Sequence, residues 1–377
     1  MSHSPSTTES SSSTTSSPPS SSTTLKPSSP SSTTTVHSAA TSPPTSVLRS
    51  SPPTYVGPAV FDAITCSNTS NCLAVGRTNS NAGLIVTSSN GGNSWTARPL
   101  PTGVKELQGI GCFGSRCVAV GLGQALASGD GGSTWSLQAV AAQSPPQLTS
   151  AACYSASSCV VGGWSENFGG PASGFIAVTS DGGGSWQTVT SNNNPIGAVF
   201  SVACPSPSFC VALGSEIRVS HDGGSTWALR TTNTGISGGL HSVTCGSATS
   251  CVAAGAGPND PSGGAQVFTT SDGGNTWTSQ TAPPGSVNAW QVRCASTTWC
   301  ASVGPAASGS GTASFMTTTN GGVAWTNVSP PPGMTGLTDI TCPTAAYCVA
   351  IGQTSTGAAQ AIGTPGGAWS VSAQAAS

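Results

Sequence analysis

Charged residues are scarce in this chain. Lysine and arginine together number 9 and aspartate and glutamate 11 among 377 residues, and the formal net charge is −2. A nucleic-acid-binding surface needs basic residues concentrated in a stripe or patch, and so few basic residues scattered along the chain cannot supply one. The composition therefore excludes nucleic acid as a partner.

Long hydrophobic runs are also missing. No apolar run approaches the roughly 18 residues that a membrane-spanning helix requires, so we predict no membrane span. The first 30 residues contain no apolar core of the kind found in a secretory signal peptide. Because the cysteine pattern described below indicates export, we expect an export signal or membrane anchor upstream of residue 1, or a misplaced start codon.

The N-terminal part of the chain has almost no apolar side chains. Residues 1–35 are serine, threonine and proline with five exceptions. Such a composition buries too little apolar surface to offset the entropy lost on ordering. We predict that residues 1–55 are disordered, either as an extended O-glycosylated stalk or as a plain linker. The remaining residues, 56–377, are enough for one large domain.

The cysteines form seven short-range pairs, separated by five residues in every pair but the second, where four intervene. The pairs are Cys66/Cys72, Cys112/Cys117, Cys153/Cys159, Cys204/Cys210, Cys245/Cys251, Cys294/Cys300 and Cys342/Cys348. Structural zinc sites favour C-x2-C pairs that come together in twos, so isolated pairs of this spacing fit disulfides that close tight hairpins. Persistent disulfides imply an oxidising compartment, and we predict an extracellular or cell-surface protein.

We expect each cysteine pair to stand at the two ends of its turn. The first strand then ends at the first cysteine, and the second strand begins at the second, as in the runs that start at Cys210 and Cys348.

Each cysteine pair is followed by a glycine-rich turn that ends in tryptophan. These tryptophans are Trp95, Trp135, Trp186, Trp227, Trp277, Trp325 and Trp369. Each repeat contains four short β-type runs, and the second run, such as Cys117–Gly121, is apolar throughout, which indicates burial on both faces. We predict an all-β fold, a seven-bladed β-propeller with four antiparallel strands and one hairpin disulfide per blade.

The tryptophan turns carry a recognisable motif. Residues 128–135 (SGDGGSTW) and 220–227 (SHDGGSTW) match the S-x-D-x-G-x-T-W pattern. This resembles the Asp-box, or BNR-repeat, propellers, which include sialidases, xyloglucanases and photosystem II stability and assembly factors. Because acidic and amide side chains at tight turns accept backbone hydrogen bonds, we assign the motif residues a structural role and no metal. They are Asn90, Asp130, Asp181, Asp222, Asp272 and Asn320.

Antiparallel order predicts two chemically different faces. The cysteine hairpins and tryptophan turns lie on one, the cysteine face. The loops between second and third strands and between blades lie on the other, the loop face, and variable loops of this kind commonly carry binding sites. Residues four positions before each first cysteine are expected to ring the channel mouth on the loop face. They are Asp62, Gln108, Thr149, Phe200, His241, Trp290 and Thr338.

Four residues on the predicted loop face are not explained by the repeat. They are Trp164, Glu166, His241 and Trp290. We predict a ligand-binding site there, because an aromatic ring beside a carboxylate can form a platform for a sugar. His241 and Trp290 are expected to act together, whereas Trp164 is expected to belong to a separate subsite. The alternative is that the tryptophans hold their own loops and that His241 is a packing residue.

No catalytic constellation or cofactor signature is evident. Two of the three tyrosines, Tyr154 and Tyr347, lie inside cysteine hairpins, which leaves no tyrosine nucleophile of the sialidase kind. We predict a monomeric, non-enzymatic extracellular binding or scaffold propeller without cofactor, whose partner is a protein or a glycan. Two alternatives are a secreted glycoside hydrolase, built from Glu166, Glu216 or Asp260, and a chaperone similar to the assembly factors.

Overall fold

The structure is a computed structural model that describes residues 59–140, 145–165, 173–189, 197–230, 232, 239–257, 264–286, 288–306 and 312–373. The predicted Ser/Thr/Pro-rich segment, residues 1–55, lies outside this set, so the predicted domain boundary remains an expectation. Every strand in the described residues belongs to a four-stranded antiparallel sheet of consecutive strands, and there are seven such sheets. The predicted seven-bladed β-propeller is therefore confirmed.

The strands form four sets, from the central channel outward. The innermost strands are Ala59–Cys66 (β1), Leu107–Phe113 (β5), Gln147–Cys153 (β9), Val199–Ser206 (β13), Gly239–Cys245 (β17), Gln291–Cys294 (β21) and Met334–Thr344 (β25). The second strands are Cys72–Thr78 (β2), Arg116–Gly121 (β6), Cys159–Ser165 (β10), Phe209–Gly214 (β14), Cys251–Ala256 (β18), Cys300–Gly304 (β22) and Tyr347–Thr354 (β26).

The outermost strand is the shortest of each blade and the most exposed, whereas the third strands are largely buried. The third strands are Gly83–Ser88 (β3), Gln124–Ser128 (β7), Ser173–Thr179 (β11), Ile217–Ser220 (β15), Ala265–Thr270 (β19), Ser314–Thr318 (β23) and Gly357–Gly363 (β27). The outermost strands are Thr96–Ala97 (β4), Ser136–Ala139 (β8), Gln187–Thr188 (β12), Ala228–Arg230 (β16), Thr278–Gln280 (β20), Thr326–Asn327 (β24) and Trp369–Ala373 (β28).

The apolar core lies between the blades. The second strands are buried on both sides because alternate residues face opposite neighbours: Ala119 packs towards blade one, and Val118 and Val120 pack towards blade three. One apolar cluster of described residues fills each interface between neighbouring blades. Full burial of one such aliphatic side chain contributes about 1.5–3 kcal/mol, so each blade is stabilised mainly by its neighbours.

Hydrogen bonds between innermost strands join the blades around the channel. In four blades the side chain three positions before the first cysteine accepts a hydrogen bond from a backbone N–H of the next blade. Ser150 Oγ accepts from Val202 N at 3.0 Å. The equivalent bonds are Val243 N to Ser201 Oγ, Val292 N to Ser242 Oγ, and Ile64 N to Asp339 Oδ2. Side chains thus replace the ladder bonds that separate sheets cannot make with each other.

The ring closes between blades seven and one without exchange of a strand, since blade seven consists of four consecutive strands. The buried Asp339 carboxylate accepts hydrogen bonds from Ile64 N of blade one and from its own neighbour Ile340 N. It also forms an ion pair with Arg293 of blade six at 3.0 Å. Burial raises the pKa of Asp339, against the opposing effect of Arg293.

Each of the cysteine pairs forms a disulfide across the hairpin between the first and second strands, as predicted. The Cα–Cα distances are 4.0–4.2 Å, and no cysteine is free. Such disulfides indicate an oxidising environment. Within the described part of the chain, no helix is long and apolar enough to cross a membrane.

The expected position of the cysteines at the turn ends was wrong for Cys210 and Cys348. In blades four and seven the second strand begins one residue before the cysteine, so Cys210 lies inside β14 and Cys348 inside β26. The reason is one further residue pair beyond the disulfide, which in blade four joins Ser206 to Phe209 and leaves two residues in the turn. Blade seven has the equivalent pair, and Cys117 of blade two likewise follows the first residue of its strand.

The second cysteine of each pair is also buried, which a position at the end of a surface turn does not predict. These second cysteines are at most 1% exposed, and four of them, Cys159, Cys210, Cys300 and Cys348, are fully buried. Cys210 packs with Val160 of blade three, and Cys348 packs with Ala301 of blade six. The disulfides therefore contribute to the packing between blades in addition to closing their own hairpins.

The tryptophan turns are held by side-chain oxygens that accept backbone hydrogen bonds, and Ser128 Oγ accepts one from Gly132 N at 2.9 Å. Asp130 Oδ1 accepts hydrogen bonds from the backbone N–H groups of Ser133 and Thr134, at 3.0 and 2.9 Å. Asn320 Oδ1 accepts the equivalent bond from Ala324 N at 2.9 Å. Because a carboxamide oxygen makes the same bond as a carboxylate oxygen, asparagine substitutes for aspartate in blades one and six. The glycine Gly132, with φ of 87°, gives the turn a left-handed residue.

Removal of one hairpin disulfide should lower the free energy of unfolding. The Cys204→Ala/Cys210→Ala variant should lose roughly 2–2.5 kcal/mol, the loop-closure entropy of a seven-residue loop. Urea unfolding measures the loss, and peptide mapping of the unreduced wild-type protein should return links only within hairpins. A link between repeats would contradict the assignment.

The turn aspartates should make the propeller acid-sensitive. Burial opposes ionisation of Asp272, but hydrogen bonds from Thr276 outweigh it and lower the pKa of this carboxyl to about 2. Since an unfolded aspartate has a pKa of about 3.9, its stabilisation is complete above about pH 4 and disappears as the pH falls towards 2. Asp272→Asn should therefore lose less stability than the wild type between pH 5 and pH 2.5 in thermal melts. Equal losses would show that this carboxylate does not contribute.

Candidate functional site

The side chains at the channel mouth are placed by β-bulges. In six innermost strands the pairing register with the second strand skips one residue, and the skipped residue is the one four positions before the first cysteine. The skipped residues are Asp62, Gln108, Thr149, Phe200, His241 and Thr338. In blade six the equivalent residue, Trp290, immediately precedes β21. A bulge redirects the unpaired side chain, here at the loop-face end of the strand.

A glycine in the second strand makes each bulge possible. A Cβ atom on Gly255 would lie 2.2 Å from the carbonyl oxygen of Gly239, two residues before the His241 bulge. The equivalent glycines, all four residues after the second cysteine, have the same close contact at 1.7–2.1 Å. They are Gly76, Gly121, Gly163, Gly214, Gly304 and Gly352. No residue with a side chain can occupy this position unless the innermost strand moves away.

Four aromatic rings form a continuous row on the loop face. Trp164 and Phe200 make an edge-to-face contact, with their ring centroids 5.4 Å apart. Phe200 stacks on His241 at 5.7 Å, and His241 stacks on Trp290 at 5.4 Å. The row, which we call the aromatic row, therefore connects blades three, four, five and six.

The aromatic row is accessible from solvent. The Trp290 side chain is 44% exposed at one end, and Trp164, Phe200 and His241 are half-buried. Desolvation lowers the pKa of His241, so its imidazole is neutral at neutral pH and behaves as part of an apolar surface. Each ring supports its neighbour, so the surface is ordered before any ligand binds.

The structure brings together three of the four candidate ligand-binding residues. His241 and Trp290 are in contact, as expected. Phe200 lies between Trp164 and His241 and joins Trp164 to the same row, so the separate subsite expected for Trp164 stays a prediction. Glu166 lies outside the described residues. Phe200 was in the predicted ring of channel-mouth residues but was not among the candidate ligand-binding residues. Its position directly before His241 in that ring could have identified it as a neighbour of His241.

A charged group occupies the opposite side of the same face. Arg77 Nη1 lies 3.6 Å from Asp62 Oδ2 and also contacts Glu106 of blade two. Burial, opposed by Arg77 and reinforced by Glu106, raises the pKa of Asp62 to about 7. Sequence reasoning missed this group, because Arg77 and Glu106 lie in different repeats and share no motif.

The two carboxylates, Asp62 and Glu106, are both engaged with one cation, the Arg77 guanidinium. A glycosidase holds its two carboxyl groups on opposite sides of the scissile bond, with room for sugar and water between them. Here a guanidinium nitrogen of Arg77 lies next to both Asp62 and Glu106. The channel below is a cavity of about 290 Å³, where Arg293 is already paired with Asp339. No group of three or more His, Cys, Asp or Glu suited to a metal ion occurs within the described residues.

Comparison with known proteins identifies the fold. A scan against protein-family models and a search of curated proteins find no match. Solved structures do match. YCF48 bound to D1 peptide is 18% identical, with a TM-score of 0.55 over 79% of this chain and 92% of that chain. The Niastella koreensis GH74 enzyme is 15% identical, with a TM-score of 0.52 over 83% of this chain and 59% of that one. The WD40 β-propeller domain of Doa1 is 10% identical, with a TM-score of 0.54 over 83% and 93%. At such identities the similarity establishes a β-propeller and no activity.

The glycine opposite a bulge should be essential for the site. Gly255→Ala should lower the free energy of unfolding by about 1–3 kcal/mol or more, because its Cβ would overlap backbone atoms of Gly239 and Leu240. Gly257→Ala is the matched control, since its nearest neighbour, at 3.3 Å, is the flexible end of Gln266. Urea unfolding compares the two variants. Equal stabilities would contradict the role of this glycine.

Proposed function

We propose that this protein is a non-enzymatic extracellular binding or scaffold propeller whose ligand contacts the aromatic row on the loop face. The observation that carries the proposal is the row itself: Trp164, Phe200, His241 and Trp290 in continuous contact, with Trp290 44% exposed. Clustered, preordered aromatic side chains supply most of the binding energy in many interfaces, because they bury a large area at little entropic cost. The repeat does not require these residues, since other blades have Asp62, Gln108 and Thr338 in the same ring.

The extracellular placement is supported by the disulfides. Hairpin disulfides in every blade persist only where thiols are not kept reduced. The ligand is a protein or a glycan outside the cell, and the protein acts as a monomer without cofactor. The propeller of YCF48, solved with a D1 peptide, is an example of this fold with a bound peptide.

The tryptophan turns belong to the same proposal as structural Asp-boxes. Their oxygen acceptors Asn90, Asp130, Asp181, Asp222, Asp272 and Asn320 each bond the backbone of their own turn. Hydrogen bonds to the turn lower the pKa of Asp130 and Asp181, led by those from Thr134 and Ser185. Acceptors engaged in this way are not available for a ligand.

A glycoside hydrolase is the less supported alternative. The fold is shared with a GH74 enzyme, but Asp62 and Glu106 both contact Arg77 and so are not free to flank a substrate. Of the three predicted candidates, Glu216 is paired with Arg218 and accepts a hydrogen bond from Gly197 N at 3.2 Å. The other two, Glu166 and Asp260, lie outside the described residues. The arrangement of carboxylates favours binding.

Loss of the exposed indole should weaken ligand binding without affecting the fold. We expect glycan and peptide arrays to identify a binding probe, and Trp290→Ala to lower the affinity for that probe by about tenfold or more, as for a central aromatic residue of an interface. Since Trp290 is 44% exposed, its removal should change stability by less than about 1 kcal/mol.

Phe113→Ala is the matched control, because Phe113 is an aromatic residue, 50% exposed, on the cysteine face. Titration of the array probe with the wild type and both variants, together with thermal melts, provides the measurement. The proposal is wrong if neither array yields a probe, or if Trp290→Ala binds the probe as tightly as Phe113→Ala does.

A further inference from the structure

A second pocket lies on the loop face across blades one, two and three, and its lining residue Gln147 is the strand partner of Trp164 at one end of the aromatic row. It is a cavity of about 400 Å³, within the range of small-ligand sites. Its polar lining is Arg77, Asn81, Lys105, Glu106, Gln108 and Gln147. We call it the cationic pocket. Leu122 is the apolar side chain in its wall.

The walls of the cationic pocket are fixed by backbone contacts between blades. Lys105, just before β5, forms a β-bridge with Ala82 of blade one, and Leu122 of blade two forms one with Gln147 of blade three. Gly83 N donates to Val104 O at 3.0 Å beside the first bridge. A pocket built on such contacts keeps its shape without a ligand, which lowers the entropic cost of binding.

The charge of the pocket favours an anion. Arg77 is paired with Glu106 and Asp62, whereas no carboxylate of the described residues lies within 4.0 Å of the exposed Lys105 ammonium group. Burial raises the pKa of Asp62 to about 7, so this carboxyl carries only part of a negative charge at neutral pH. The charge of Lys105 is therefore not fully compensated, and a partial positive charge remains for a ligand.

The rest of the lining suits a ligand rich in hydroxyl groups. Asn81, Gln108 and Gln147 each have a carboxamide that both donates and accepts hydrogen bonds. Arginine and lysine are donors only, and a carboxylate is the acceptor group that matches them. An apolar side chain of a peptide would leave these polar groups unpaired, which costs free energy. A sugar ring with a carboxylate pairs with all of them.

We propose that the cationic pocket binds a carboxylated sugar, namely a uronic acid residue of a polysaccharide, with its carboxylate at Lys105. The hydroxyl groups of the sugar pair with the carboxamides of Gln108 and Gln147. This site goes beyond the function proposed above, because it shares no residue with the aromatic row. It identifies an acidic polysaccharide as a ligand.

The test is calorimetric titration of the whole chain with oligogalacturonate and oligoglucuronate. Their methyl esters are the neutral controls. We expect binding of at least one uronate, and binding about tenfold or more weaker for its ester, since a charged hydrogen bond is lost. Lys105→Ala should weaken uronate binding by about the same factor, and Lys105→Arg should restore it to within about threefold. Because Lys105 is exposed, these variants should fold normally.

Two controls separate this proposal from the others. Arg98→Ala removes a cation that lines a cavity on the cysteine face and should bind uronate as the wild type does. Trp290→Ala should also bind uronate normally, so failure at the aromatic row and failure at the cationic pocket are distinguishable. The proposal is overturned if no uronate binds, if the ester binds equally, or if Arg98→Ala loses as much affinity as Lys105→Ala. Equal affinity for hexa-aspartate would overturn the assignment to a sugar.

Discussion

The close approach of the first and second strands in each blade is the constraint on which the rest of the structure depends. A glycine four residues after the second cysteine leaves room for a backbone carbonyl that would lie 1.7–2.2 Å from any Cβ atom. In six blades this contact allows the innermost strand to bulge by one residue, and the bulge turns one side chain towards the loop face. The same structural feature, the glycine contact, therefore determines both the geometry of a blade and the side chain that the blade presents on the loop face.

The two faces of the propeller divide stability and recognition between them. On the cysteine face, disulfides and tryptophan turns tie each blade together, and Tyr347 donates a hydrogen bond to Gly91 O across the closure of the ring. On the loop face, the same structural position carries Asp62 in one blade and Phe200 or His241 in others. Because the scaffold does not depend on these side chains, they are free to vary with the ligand.

The sequence predicted the fold well because the fold is periodic. Cysteine spacing, tryptophan turns and apolar second strands recur in every repeat, so blade number, strand order and disulfide pairing followed from them. The bulges left no such signature. In the sequence, Gly255 resembles an ordinary residue at the end of a strand. Its close contact with Gly239 becomes evident only once the two strands are paired. For the same reason the contact between Trp164 and Phe200 was not predicted, since the bulge that positions Phe200 is a property of register.

The central claim, that the bulged side chains of Phe200 and His241 join Trp164 and Trp290 in a preordered aromatic surface, is tested most directly by an NMR titration of the histidine rings. The chain has four histidines, and His241→Gln identifies the relevant signal by its loss. His241 lies half-buried between Phe200 and Trp290, so its ring protons should be shifted upfield and its pKa should lie below 6.5. Trp290→Ala should reduce that upfield shift. An unshifted His241 signal with an ordinary pKa, insensitive to Trp290→Ala, would contradict the account.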